Sequence, residues 1–132
     1  MNENVQSIFT YAEQQYGVEP DYPFSNDPDI PVLRHRGTRK WFAILMNVSR
    51  SVLGLEGEGR VDIMNIKCDP ILSGSLRMEP GYLPGYHMNH EQWLTILLDG
   101  TVPLEEIYPL LDLSFELTMK KPKKPRKSYN ND

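Results

Sequence analysis

The chain has 132 residues, 39% of them apolar and 24% charged, which predicts one folded domain and argues against a disordered chain. No apolar run approaches the roughly eighteen residues of a membrane span, and the N-terminus lacks the basic and apolar regions of a secretory signal. The single cysteine, Cys68, excludes an internal disulfide and suits a reducing compartment. We therefore expect a cytoplasmic protein without a membrane partner.

The formal net charge of −4 conceals two oppositely charged parts. Residues 1–119 hold 17 acidic and 8 basic residues, a formal charge of −9, and are expected to form one domain. This acidic body argues against a large phosphate-binding surface on the fold itself. Residues 120–132 form a basic, proline-interrupted tail that we expect to be disordered. Its basic residues are Lys120, Lys121, Lys123, Lys124, Arg126 and Lys127.

The first element in the chain is predicted to be a helix at residues 3–16, ending at Gly17. Apolar side chains recur there at the spacing of one helical face, namely Val5, Ile8, Phe9, Ala12 and Tyr16. Residues 20–31 contain four prolines and cannot form a helix, so we expect an ordered loop. The apolar segment Tyr22-Pro23-Phe24 is expected to fix this loop to the core.

Three strands are predicted next. Residues 32–36 form the first, Gly37-Thr38 a turn, and residues 40–48 a second strand that is almost continuously apolar and therefore central. A glycine-containing connection covers residues 49–59. Residues 60–67 alternate in part and form the third strand.

The second half is predicted to hold two helices and the remaining strands. Asp69 caps a short helix that has Pro70 at its first position and runs toward Met78. A constrained loop follows, then one helical turn at residues 90–93 and a strand at residues 94–98. The last helix begins at residues 101–103, and Pro109 is expected to kink it. This order predicts a two-layer α+β domain with a mostly antiparallel sheet.

Catalytic and metal chemistry receive little support from the sequence. His87 and His90 are three residues apart and could share a metal, but apart from Glu91 no acid cluster accompanies them. Cys68 could act as a nucleophile with either histidine, yet free cysteines are usually buried, and no nucleophile elbow or phosphate-cradling glycine motif is present. We expect no metal, no cofactor and no enzyme activity; catalysis by Cys68 ranks last among the hypotheses.

Two basic groups are candidates for phosphate contacts. One group is a cluster at the first hairpin, formed by Arg34, Arg36, Arg39 and Lys40. This hairpin could act as a wing that reaches a nucleic-acid groove, or its tip could simply be solvated. The basic tail could contact any anionic surface, or could serve only solubility. Among the aromatic residues, Trp93 is interpreted as core, while Tyr82 and Tyr86 remain open between core and base-stacking roles.

Several motifs in a fixed order carry a resemblance to a known family. They are Tyr22-Pro23-Phe24, Lys40-Trp41-Phe42-Ala43, Lys67-Cys68-Asp69-Pro70, Pro84-Gly85-Tyr86-His87-Met88-Asn89, Trp93 and Leu98-Asp99-Gly100. Together, over roughly residues 3–119, they resemble the MmcQ/YjbR family of small bacterial proteins.

The resemblance implies a single YjbR-like domain over residues 1–119, with an α-β(3)-α-β(2)-α two-layer sandwich related to the CyaY-like and secretion-chaperone-like folds. It places the last two strands near residues 84–89 and 93–98. It also implies binding of double-stranded DNA through a double-wing arrangement, an inference from fold alone. The matching positions are Arg34, Arg36, Arg39, Lys40, Lys67, His87 and Asn89. The alternative is a non-enzymatic protein-interaction or chaperone-like module that uses the sheet face or the loop at residues 20–31.

Overall fold

A computed structural model describes residues 2–119 of the chain. The elements in order are α1 (Glu3–Tyr16), β1 (Val32–Arg34), β2 (Trp41–Ser49), a 3₁₀ turn (Arg50–Leu53), β3 (Arg60–Lys67), α2 (Pro70–Leu76), β4 (Tyr82–Pro84), β5 (Trp93–Leu97) and α3 (Leu104–Met119). The predicted order of helices and strands is confirmed. None of the helices in this range is long and apolar enough to cross a membrane. The predicted tail lies outside the described residues.

One five-stranded sheet in the order β1-β2-β3-β5-β4 carries the fold, and every neighbouring pair is antiparallel. Helices α1 and α3 pack on one face and bury the main core, so the α+β prediction is confirmed. On the opposite face, a smaller apolar cluster is covered by the chain's own connections. Its buried members are Val48, Val61, Ile63 and Leu97, and Leu53, Leu55 and Tyr86 pack against them.

Helix α1 has the predicted apolar face and is fastened to the sheet at its first turn. Val5, Ile8 and Ala12 are buried, and Gly17 ends the helix at φ 68°, a left-handed conformation that suits glycine. The side chain of the cap residue Asn2 accepts a hydrogen bond from the Val5 amide. The backbone amide of Asn2 donates in turn to the buried Asp62 carboxylate on β3, which sets where the helix meets the sheet.

Helix α2 begins as predicted but ends early. The Asp69 carboxylate accepts hydrogen bonds from two amides of the first turn, and Pro70 opens the helix. Leu72 and Leu76 pack on the core, whereas Ile71 is 86% exposed. The helix ends at Leu76, before Met78.

The segment after α2 differs most from the prediction. Strand β4 covers only Tyr82–Pro84, so the strand implied at residues 84–89 is wrong. Residues 90–92 form a hydrogen-bonded turn, in which the Asn89 carbonyl accepts from the Trp93 amide, and this turn does not continue into a helix. The chain turns away after Pro84, and His87 has φ 60°, a left-handed conformation that cannot continue a strand. Further along, Pro109 lies inside α3 without ending it, and α3 starts at Leu104, after the residues predicted to open it.

Tyr22, which was expected to help fix the 20–31 loop to the core, and Tyr82, which was left open between core and base stacking, have opposite environments. Tyr22 is 51% exposed, and the loop is fixed by Phe24, whose ring packs edge-on against Trp41 at 5.5 Å between centroids. Tyr82 is buried in the helix-side core and donates a hydrogen bond to the Glu106 carboxylate at 2.8 Å. Burial, followed by the Glu106 carboxylate, raises the pKa of Tyr82. Tyr82 is therefore a core residue.

We expect Gly85→Ala to lower the free energy of unfolding by about 1–3 kcal/mol, the usual cost of overpacking. A Cβ atom at Gly85 would lie 2.8 Å from both the Cβ and the carbonyl oxygen of Trp93, and the second of these is backbone. Chemical denaturation measures the change. Gly37→Ala is the matched control, because no atom lies within 4 Å of its added Cβ; an equal loss in both variants would contradict the prediction.

Candidate nucleic-acid interface

A hydroxyl group from α3 is inserted into the sheet where β2 and β3 stop pairing. The last β2–β3 pair at this end is Ala43 with Ile66, so Phe42 and Lys67 would come next in the ladder. Instead, the Ser114 hydroxyl donates to the Phe42 carbonyl at 2.6 Å and accepts from the Lys67 amide at 2.8 Å. Both backbone groups are satisfied while the strands separate, which opens a gap between their ends.

An irregularity in the β1–β2 pairing changes the direction of the side chains at this end. Leu33 lies opposite Ala43 and Arg34 opposite Trp41, so Phe42 is an extra residue on β2. Phe42 consequently joins Ala43 in the helix-side core, where it packs against Tyr16 and Phe115. Trp41 is left to line the surface beside the gap.

The result is a surface groove of about 630 Å³ at the open end of the sheet. It is lined by Arg39, Lys40, Trp41, Lys67, Trp93, Leu117 and Thr118, and none of these described lining residues is acidic. The Lys67 ammonium group lies 5.5 Å from the Trp93 ring centroid, a cation–π contact. Trp93 was predicted to be core, but it is only partly buried and belongs to this groove.

Two arginines of the hairpin pair with an acid that the sequence analysis did not connect with them. Asp21 forms an ion pair with Arg34 and a longer one, 3.4 Å, with Arg39. The Arg34 hydrogen bond is the main cause that lowers the pKa of Asp21. Arg36 lies in the turn beyond β1 and lines a second cavity with Arg34, Arg39 and Asp21. Arg39 has φ 66° and borders both cavities.

His35 supports the groove from inside the protein. It is buried against Phe42 and Phe115, with Nε2 at 2.9 Å from the Thr118 hydroxyl, and Thr118 donates to the Ser114 carbonyl. Burial lowers the pKa of His35, and the nearby Lys40 acts in the same direction. His35 therefore fixes the end of α3 as a neutral ring. The sequence analysis missed it because a single histidine in a strand carries no distinctive spacing.

A buried amide network holds the turn that precedes Trp93. Asn65, 1% exposed, donates to the Tyr86 carbonyl at 3.0 Å and accepts from the Thr95 hydroxyl, which itself accepts from the Tyr86 amide at 2.9 Å. Asn89 acts locally, because its carbonyl accepts from the Trp93 amide at 2.9 Å. His87 is exposed against Tyr86 at 4.1 Å between ring centroids. Neither His87 nor Asn89 lines the groove, although Asn89 helps to position Trp93.

Cys68 is a free and buried cysteine. Burial, followed by the Asp69 carboxylate, raises the pKa of the Cys68 thiol to about 11, opposite to the shift that activates a nucleophilic cysteine. Within residues 2–119, no three histidine, cysteine or acidic residues are grouped so that they could hold a metal ion. The six basic residues predicted as contacts in the tail lie outside the described range: Lys120, Lys121, Lys123, Lys124, Arg126 and Lys127.

Comparisons with known proteins agree on one family. The family model YjbR matches residues 13–117. The uncharacterized protein YyaQ of Bacillus subtilis is 45% identical over 113 residues, which is 86% of this chain and 96% of YyaQ. The uncharacterized protein YjbR of Escherichia coli is 35% identical over 54 residues, 40% of this chain and 46% of that protein.

Solved structures show the same fold. A crystal structure of a Pseudomonas syringae protein superposes with a TM-score of 0.83 at 43% identity, covering 89% of this chain and 99% of the other. A crystal structure of a Deinococcus radiodurans protein gives a TM-score of 0.67 at 25% identity, covering 91% and 81%.

We expect Ser114→Ala to lower the free energy of unfolding by about 1–3 kcal/mol, because the Phe42 carbonyl and the Lys67 amide lose their partner. Denaturant unfolding measures the loss. Ser75→Ala, which removes an exposed hydroxyl from α2, is the matched control and should change stability by no more than about 0.5 kcal/mol. Equal stability of Ser114→Ala and wild type would show that the hydroxyl is not needed to bridge the strands.

Proposed function

The chain belongs to the YjbR family, and we propose that it binds DNA through the groove at the open end of its sheet. The observation that carries the proposal is the grouping of Arg39, Lys40 and Lys67 around one groove without a lining acid, in a body whose formal charge is −9. Three of the eight cations of residues 1–119 lie there, so the field is locally positive against an acidic background. A duplex phosphate backbone is the ligand that suits such a patch.

The contacts available in the groove suit positioning on the phosphate backbone better than base-edge readout. Lysine and arginine groups on a surface neutralise phosphates and release counterions without regard to sequence. No described recognition helix accompanies the groove, since α3 contributes only its last turn through Leu117 and Thr118. The basic residues at 120–127 follow that turn directly in the sequence and add charge of the same sign. We therefore propose binding with little sequence preference and a steep salt dependence.

A second candidate function is supported by a different surface. A cavity of about 660 Å³ between α1, the 20–31 loop and the far end of β2 is lined in part by Asp27, Asp29 and the exposed Tyr22. Arg60 lines the far side of the cavity, and the two aspartates of the loop would suit a basic segment of a protein partner. Asp27→Asn together with Asp29→Asn should abolish capture of such a partner from the host cytosol; capture that is unchanged by the double variant would contradict this candidate.

We expect Lys67→Gln to weaken duplex DNA binding and to reduce the slope of log K against log salt by about 1, as for one lost phosphate contact. Fluorescence anisotropy at about 50 and 200 mM salt measures both quantities. Arg50→Gln is the charge-matched control, because Arg50 follows β2 at its other end, about 30 Å along the strand from Lys40. Absence of binding at the lower salt, or equal losses in both variants, would refute the proposal.

A second variant tests the same interface by a gain in binding. Asp21→Asn removes the negative charge that pairs with Arg34 and Arg39, so we expect tighter duplex binding and a steeper salt dependence. Asp99→Asn serves as the control, since Asp99 bonds to Thr101 in the turn before α3 and loses the same charge. If Asp21→Asn binds no more tightly than Asp99→Asn, these arginines do not contact the DNA.

A further inference from the structure

We propose that the groove holds an unpaired nucleotide, with its base stacked on an indole ring and its phosphates on the neighbouring cations. This inference rests on the proposed function and names its ligand class: single-stranded DNA, or a stretch in which a base has left the stack. The supporting observation is that both tryptophans of the chain, Trp41 and Trp93, line the same groove as Arg39, Lys40 and Lys67. Aromatic platforms beside cations are the usual components of single-strand binding.

Trp41 is a fixed platform. The extra residue Phe42 on β2 takes the core position and leaves Trp41 at the surface. The Trp41 and Phe24 rings pack edge to face at an interplanar angle of 85°, and this contact restrains the indole. A partly buried indole held in this way loses little conformational entropy when a base stacks on it.

Trp93 brings its own cation. Lys67 lies opposite Trp93 in the β3–β5 register, and its ammonium group lies near the indole ring. A cation–π contact at a solvated site is weak, so a phosphate can compete for the ammonium group and free the ring. Lys67 then binds the phosphate while Trp93 stacks on the base, so the pair contacts both parts of a nucleotide.

The size of the groove suits a single extruded nucleotide. A volume of about 630 Å³ lies within the roughly 300–1,000 Å³ of small-ligand sites. Base faces within a duplex are covered by their neighbours, so an indole can reach one only where the stack is open. The described lining also contains Leu117, which supplies an apolar wall and no charge.

The test compares two single strands of about 12 nucleotides that carry the same phosphates, one of mixed sequence and one abasic. We expect the full-length chain to bind the strand with bases at least about fivefold more tightly. Intrinsic tryptophan fluorescence follows the binding directly, because the only two tryptophans of the sequence line the groove. The strand with bases should quench this fluorescence, and the abasic strand should leave it nearly unchanged.

Variants connect the preference for bases to one ring. Trp41→Leu should bring the ratio of the two affinities close to one while the affinity for the abasic strand stays the same, and Trp41→Phe should restore part of the ratio. Tyr22→Leu, which removes an exposed aromatic ring outside the groove, should leave the ratio unchanged. If Trp41→Leu fails to fold, the fluorescence of the wild-type protein still decides, because quenching by the strand with bases alone places the base at the tryptophans of the groove.

The outcomes separate this inference from the proposed function. Equal affinity for both strands, together with duplex binding that depends on Lys67, would overturn base stacking and leave the proposed function standing. A base-dependent affinity that Trp41→Leu and Trp93→Leu both leave intact would also overturn it, because the base would be held elsewhere. If neither strand nor the duplex binds at low salt, both the inference and the proposed function are wrong.

Discussion

The Ser114 hydroxyl substitutes for a missing ladder interaction between β2 and β3, and the open end of the sheet depends on it. A hydroxyl can donate and accept at once, which is what a free carbonyl and a free amide on two separating strands require. An alanine at this position of α3 would pack as well but would leave both groups without a partner. Because Thr118 in the next turn of the helix contacts the neutral ring of His35, the bridge is backed by a second buried polar contact. The groove thus exists because a buried side chain supplies the hydrogen bonds that the two separated strand ends no longer make with each other.

Much of the fold could be predicted from short-range patterns. The face of α1, the Asp69-Pro70 start of α2 and the central position of β2 follow from periodicity and capping, which act over a few residues. The length of β4 could not be predicted, because it is set by a buried network from Asn65 to Tyr86, 21 positions away. The motif around Gly85 indicated the family correctly, but the strand that the resemblance implied there was wrong.

The candidate site was harder to predict than the fold. Arg39 and Lys40 were identified by charge and Lys67 by the family resemblance, but nothing in the sequence indicated that Asp21 would hold Arg34 across 13 positions. Nor did it indicate that the extra residue at Phe42 would turn Trp41 outward, since a bulge changes which face a residue occupies without changing the composition of the strand. Ser114 looked like any small residue in a helical stripe. Such features depend on pairs of elements that meet only in the folded chain.

The two edge strands restrict how this domain can be recognised. Strands β1 and β4 have three residues each. The backbone of Val32 on β1 both donates to and accepts from the backbone of Asp21. Pro84 on β4 has no amide hydrogen to donate. An incoming extended peptide would find few unpaired backbone groups in register. The two edges therefore disfavour the addition of a further strand, whether from a peptide or from a second copy of the chain. Any specific partner has to read side chains, so the recognition properties of related chains can change by substitution while the backbone stays the same.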